Sequence, residues 1–85
     1  MCDKCGILHL HDGFRSPLQY FHEIDKIRSL VDDGVMSVDF GTVPLFEITG
    51  NLRGYLRHEL TCSCGTRFAV WFDSESGGGG LRIIE

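Results

Sequence analysis

The sequence predicts a single α+β domain, residues 1–85, in which a small antiparallel β-sheet packs against one main α-helix. Three observations lead there. One stretch, Pro17 to Asp33, carries the three-and-four apolar spacing of a half-buried helix. Two alternating segments flank a link of only four residues, as the arms of a hairpin do. The four cysteines fall into two close pairs, which supplies the cross-link that so short a chain commonly needs.

Ser16 is a good N-cap for the helix, Pro17 suits its first position, and Gln19 completes a capping box. Leu18, Tyr20, Phe21, Ile24, Ile27, Leu30 and Val31 are expected on the buried face. Gln19, His22, Glu23, Lys26, Arg28, Asp32 and Asp33 fall on the others. Gly34 provides the left-handed residue that ends many helices.

Val35 to Phe40 alternates as a strand, with Met36, Val38 and Phe40 on one side and Gly41 as its breaker. Pro44 to Ile48 reads as one helical turn closed by Gly50, and Asn51 to Gly54 as a turn. Tyr55–Thr61 and Thr66–Phe72 form the hairpin arms around Cys62-Ser63-Cys64-Gly65. Phe68, Val70 and Phe72 share one face of the second arm, and Trp71 points to the other. Ser74 to Gly80 is expected to be a flexible loop. Leu81 to Ile84 returns as an edge strand, and Leu8 to His11 adds a further short one.

Composition narrows the function classes. Hydrophobic residues at 42% are enough to build a core, so disorder is excluded. No apolar run approaches the ~18 residues of a membrane span. The opening Met1-Cys2-Asp3-Lys4-Cys5 lacks the apolar stretch of an export signal, so a cytoplasmic location is expected. A formal charge of −4 disfavours duplex nucleic acid, which calls for a cationic face. There is no phosphate-binding loop, no nucleophile elbow and no paired-histidine zinc-protease motif, and the expectation is a protein that is not an enzyme. A redox role for Cys2-x-x-Cys5 would need a strand leading into the motif, and only Met1 precedes it.

Cys2-Asp3-Lys4-Cys5-Gly6 and Cys62-Ser63-Cys64-Gly65 each place two thiols on a short turn followed by glycine. Such turns aim backbone N–H groups at thiolates, and glycine permits the positive φ that they can require. Without an export signal, disulfides are not expected. Cys2, Cys5, Cys62 and Cys64 are therefore the expected ligands of one structural zinc ion, held tetrahedrally with no open position for catalysis. The second pair is one residue shorter than usual, and some 56 residues separate the pairs. His58 shares strand parity with Cys62 and is the nearest substitute ligand, with His9 and His11 as further ones. Four thiolates bind iron as well as zinc, so the spacing leaves the metal open between them.

Cys2-x-x-Cys5-Gly6 and Cys62-Ser63-Cys64-Gly65-Thr66-Arg67-Phe68 resemble the two knuckles of zinc-ribbon proteins. The wider layout, with a helix begun by Ser16-Pro17 and a tail holding Gly77 to Gly80, is similar to small uncharacterised bacterial zinc-ribbon-like proteins. The resemblance implies a fold and a structural zinc; activity does not carry over, since such ribbons serve many functions.

The preferred expectation for function is a non-catalytic protein-interaction or regulatory domain. A free sheet edge near Leu81 to Ile84 and the exposed ring of Trp71 would suit a protein partner. An immunity-type inhibitor, a regulatory subunit and a homodimer paired through an edge strand belong to the same class. The alternative is a single-stranded nucleic-acid-binding ribbon using Arg53, Arg57 and Arg67 beside Tyr55, Phe68 and Trp71.

Overall fold

Ser16 caps the helix, its hydroxyl accepting the Gln19 amide at 3.4 Å, but the expected capping box is altered: Gln19 Oε1 accepts the Arg15 amide at 2.7 Å, one residue before the cap. In this computed structural model, which describes residues 2–8, 10, 13–42, 44, 45, 48, 54–75 and 77–84, helix α1 runs Pro17–Asp32. It ends in a Schellman motif, with the Gly34 amide on Val31 (3.0 Å) and the Val35 amide on Leu30 (2.9 Å). Gly34 takes φ +77°, which a side chain would oppose. Four strands follow: β1 Met36–Gly41, β2 Tyr55–Cys62, β3 Arg67–Asp73 and β4 Gly78–Ile83. They form one antiparallel sheet in the order β1-β2-β3-β4.

The core lies between α1 and one face of the sheet. Tyr20, Ile24, Ile27 and Leu30 meet Leu56, Leu60, Phe68, Val70, Phe72 and Leu81, and the Tyr20 and Phe72 rings stack at 5.0 Å. The expected stripe is shifted slightly around the helix. Leu18 is 78% exposed, whereas Glu23, expected outside, is buried. Glu23 lies three residues after Tyr20 and four before Ile27, so helical geometry carries it into the stripe whatever its polarity. Lys26 Nζ meets its carboxylate at 3.2 Å, so the charge is not left bare. On the adjoining flank Arg28 donates to the carbonyls of Leu45 (3.2 Å) and Ile48, pinning the β1–β2 connection to the helix. Leu45 and Ile48 are buried and joined by an Ile48-to-Leu45 hydrogen bond of 3.4 Å. The remainder of the turn expected from Pro44 to Gly50, and Asn51 to Arg53, lie in part or wholly outside the described residues.

Three other expectations are corrected. Val38 and Phe40 do not share a face, because β1 carries a bulge: Val38 pairs with Leu60 but Phe40 with Glu59. Leu8 and Leu10 lie in no strand; a 3-10 turn, Cys5–Ile7, occupies the start of the chain. The glycines at 78, 79 and 80 are not loop but the first half of β4, paired with Asp73, Phe72 and Trp71. Glycine is compulsory at 79: a Cβ there would sit 2.2 Å from the Trp71 carbonyl oxygen and 2.8 Å from Phe72 Cα. The Gly79 carbonyl also accepts the Phe14 amide at 2.7 Å, which covers the start of β4, ahead of the Leu81 to Ile84 stretch expected to be a free edge.

Gly79→Ala should therefore cost about 2–3 kcal/mol in urea unfolding of the metal-loaded protein. Gly6→Ala serves as control and should stay within about 0.5 kcal/mol, because no atom lies within 4 Å of its Cβ position. The buried hydroxyl of Tyr20 has no hydrogen-bond partner among the described residues. Tyr20→Phe keeps the ring stack and removes that group, so it should leave the unfolding midpoint unchanged or raise it.

Candidate metal centre

The two cysteine turns come from different structural types. Cys5 opens the 3-10 turn, where the Gly6 amide donates to the Cys2 carbonyl at 2.9 Å and the Leu8 amide to that of Cys5 at 3.1 Å. Gly6 does not adopt positive φ, contrary to the expectation; the 3-10 conformation curls the chain without it. Cys62 closes β2, and Cys64 lies in the turn leading to β3. Here the expected glycine effect is present: Gly65 has φ +95°, and its amide reaches the Cys62 carbonyl at 2.8 Å. The Cys62 amide donates to Thr66 at 2.8 Å and the Ser63 amide to Val35 at 2.7 Å. Lys26 Nζ donates to the Ile7 carbonyl at 3.1 Å, which ties the first turn to α1.

The four Sγ atoms of Cys2, Cys5, Cys62 and Cys64 lie within 4.8 Å of one another. Three separations are 3.5 Å (Cys2–Cys62), 3.6 Å (Cys2–Cys5) and 3.7 Å (Cys5–Cys64). A tetrahedron with metal–sulfur bonds near 2.3 Å has edges of about 3.8 Å, so the cage matches a single ion. A disulfide would draw two sulfurs to about 2.05 Å, and all four cysteines are free. The donors fit such an ion in number, softness and spacing. Cys5 and Cys62 are buried, Cys2 is half-buried, and Cys64 stands at the exposed rim.

The acidities of Cys2, Cys5 and Cys64 are shifted for identifiable reasons. Burial pushes Cys5 up to about 12. The Thr66 hydroxyl, 3.2 Å from its sulfur, and then the Thr66 amide hold Cys64 down to about 5. The Cys5 amide, followed by the Cys62 thiol, lowers Cys2. Thr66, directly after Gly65, is the supporting residue that the sequence reading passed over; its place behind the second knuckle was the available signal.

His58 is buried on the core face of β2, opposite Val70, and is not one of the four clustered donors. His9, His11 and Arg53 lie outside the described residues. Of the residues grouped for nucleic-acid stacking, Tyr55, Arg57, Arg67 and Trp71 share the sheet face away from α1. Phe68 does not belong with them: it is fully buried on the core face.

The acidities fix the sign of a pH dependence. In the metal-free protein Cys5 holds its proton at neutral pH, while Cys64 is already a thiolate. Binding an ion expels the Cys5 proton, so affinity is greatest at high pH and falls as pH falls through neutrality. Cobalt(II) titrations followed by the sulfur-to-metal charge-transfer band should show this slope. Cys5→Ser should flatten it by about one proton, whereas Thr66→Val should alter affinity chiefly at acid pH, where Cys64 begins to protonate.

Comparison with known proteins finds no matching family model, no matching curated protein and no matching solved structure. The chain is thus an α+β fold with a four-cysteine cluster that is zinc-ribbon-like in its chemistry and can hold a metal ion.

Proposed function

We propose that the chain is a zinc-stabilised, non-catalytic binding module of the cytoplasm. The observation that carries this reading is the sulfur cage joining the first residues to the β2–β3 turn at tetrahedral edge lengths. Four thiolates complete the coordination sphere of zinc and leave no position for water or substrate, so the ion serves the fold and not a reaction. Zinc(II) stands above iron(II) in affinity for such donors, which favours it as the resident ion. Keeping four neighbouring thiols reduced suits a cytoplasmic setting.

Magnitudes support a structural role. Thiolate ligation of zinc supplies roughly 10 kcal/mol or more near pH 7 in small domains. The whole stability of a natural domain is only about 5–15 kcal/mol. An 85-residue fold that loses its ion therefore loses most of what holds it together. What remains for function is surface, and binding is the role that surface supports.

Protein purified from cells under reducing conditions should carry one zinc per chain by elemental analysis. Chelation should lower the thermal unfolding midpoint sharply, and added zinc should restore it. A metal-free, reduced sample that unfolds at the same temperature as the loaded one would refute the proposal.

A further inference from the structure

The sheet face turned away from α1 has a definite pattern. Tyr55, Arg57 and Glu59 of β2 lie opposite Asp73, Trp71 and Ala69 of β3, and these lie opposite Gly78, Gly80 and Arg82 of β4. The bulge in β1 adds Phe40 to the same face, opposite Glu59. Gly80 sets no side chain opposite Trp71, and two guanidinium groups lie over the indole: Arg57 at 6.0 Å and Arg82 at 5.3 Å from the ring centroid. Tyr55 is 50% exposed and Phe40 49%. Every basic residue among these and the neighbouring Arg67 is arginine, the cation whose plane both stacks on bases and grips phosphate oxygens.

We infer that this face is a platform for single-stranded nucleic acid, a step that rests on the binding-module reading. Unpaired bases can lie flat on exposed rings and guanidinium planes, while phosphates meet the arginines between them. In a duplex the bases are stacked on one another and cannot reach such rings.

Charge on this face is balanced, Arg57, Arg67 and Arg82 standing beside Glu59, Asp39 and Asp73, so the occupant is held by the rings and by Arg82 and not by a net positive field. Glu59 is engaged by Arg57 (3.3 Å) and Arg67 (3.8 Å), Asp39 accepts the Thr61 hydroxyl, and Asp73 accepts the Glu75 amide at 2.9 Å. Among the described residues no carboxylate pairs with Arg82, whose guanidinium lies over Trp71 instead. The face therefore offers a preset cation with its stacking partner. Asp25, Asp32 and Asp33 belong to the helix side and its end.

Trp71 is the chain's one tryptophan, so its fluorescence reports on this face directly. The zinc-loaded full chain is titrated at low salt with oligothymidylate and oligouridylate of about a dozen nucleotides. Saturable quenching is expected, with affinity that falls as salt rises and that exceeds affinity for a duplex of equal length. Tyr55→Ala and Arg82→Gln, both at exposed positions, should each weaken binding by about tenfold or more. Absence of any fluorescence or anisotropy change up to about 0.1 mM protein would overturn the inference. So would binding that ignores both substitutions, or equal binding of the duplex. Retention of a co-purifying protein that these variants lose, with no oligonucleotide binding, would give the face to a protein partner and likewise overturn it. Zinc content and unfolding of the same samples are read separately, so an inert face on a normally loaded, metal-dependent fold leaves the zinc reading standing.

Discussion

Four sulfur atoms within 4.8 Å of one another connect parts of the chain some 56 residues apart in sequence. Cys2 and Cys5 belong to a segment whose described residues contribute no strand to the sheet, while Cys62 and Cys64 belong to its central hairpin. A cation among them replaces thiol–thiol contact, which is weak, with four strong bonds. It also closes a loop of some 56 residues, and the entropy of that closure grows only slowly with length. A long insertion between knuckles is thus compatible with a tight site.

Hydrogen bonds from the helix and its flanks fix both cysteine turns in place. The hydrogen bond from Ser63 to Val35 fastens the second turn beside the start of β1, directly after the helix C-cap. From the other side Lys26 holds the Ile7 carbonyl while also meeting Glu23. One side chain therefore serves both the buried carboxylate of the core and the first cysteine turn. Arg28 does the corresponding work for Leu45 and Ile48. The polar side chains of α1 act as ties to irregular segments, which have no ladder of their own to fix them.

The sheet separates two tasks. Its inner face is apolar and closes on the helix, with His58 the buried polar residue of β2. Its outer face mixes rings and guanidinium groups with the carboxylates of Glu59 and Asp73, and Ala69 is fully buried beneath its neighbours. The glycines of β4 permit both. Gly79 allows close backbone approach on the inner side, and Gly80 sets no side chain opposite Trp71 on the outer side.

Much of the fold was legible in the sequence because it depends on local rules. The capped helix, its glycine stop and the hairpin around Cys62-Ser63-Cys64-Gly65 follow from periodicity and turn chemistry, and the cysteine pairs announced themselves by spacing. Tertiary contacts decided the rest. Three glycines form a strand because β3 supplies hydrogen-bond partners and, at Gly79, no room for a side chain, a condition invisible from β4 alone. Phe40 changes face because one bulged residue reverses the parity of everything beyond it. The meeting of all four sulfurs, and of Trp71 with two arginines from the flanking strands, arises only when segments distant in sequence are laid side by side, since composition and period carry no information about which strand will be whose neighbour.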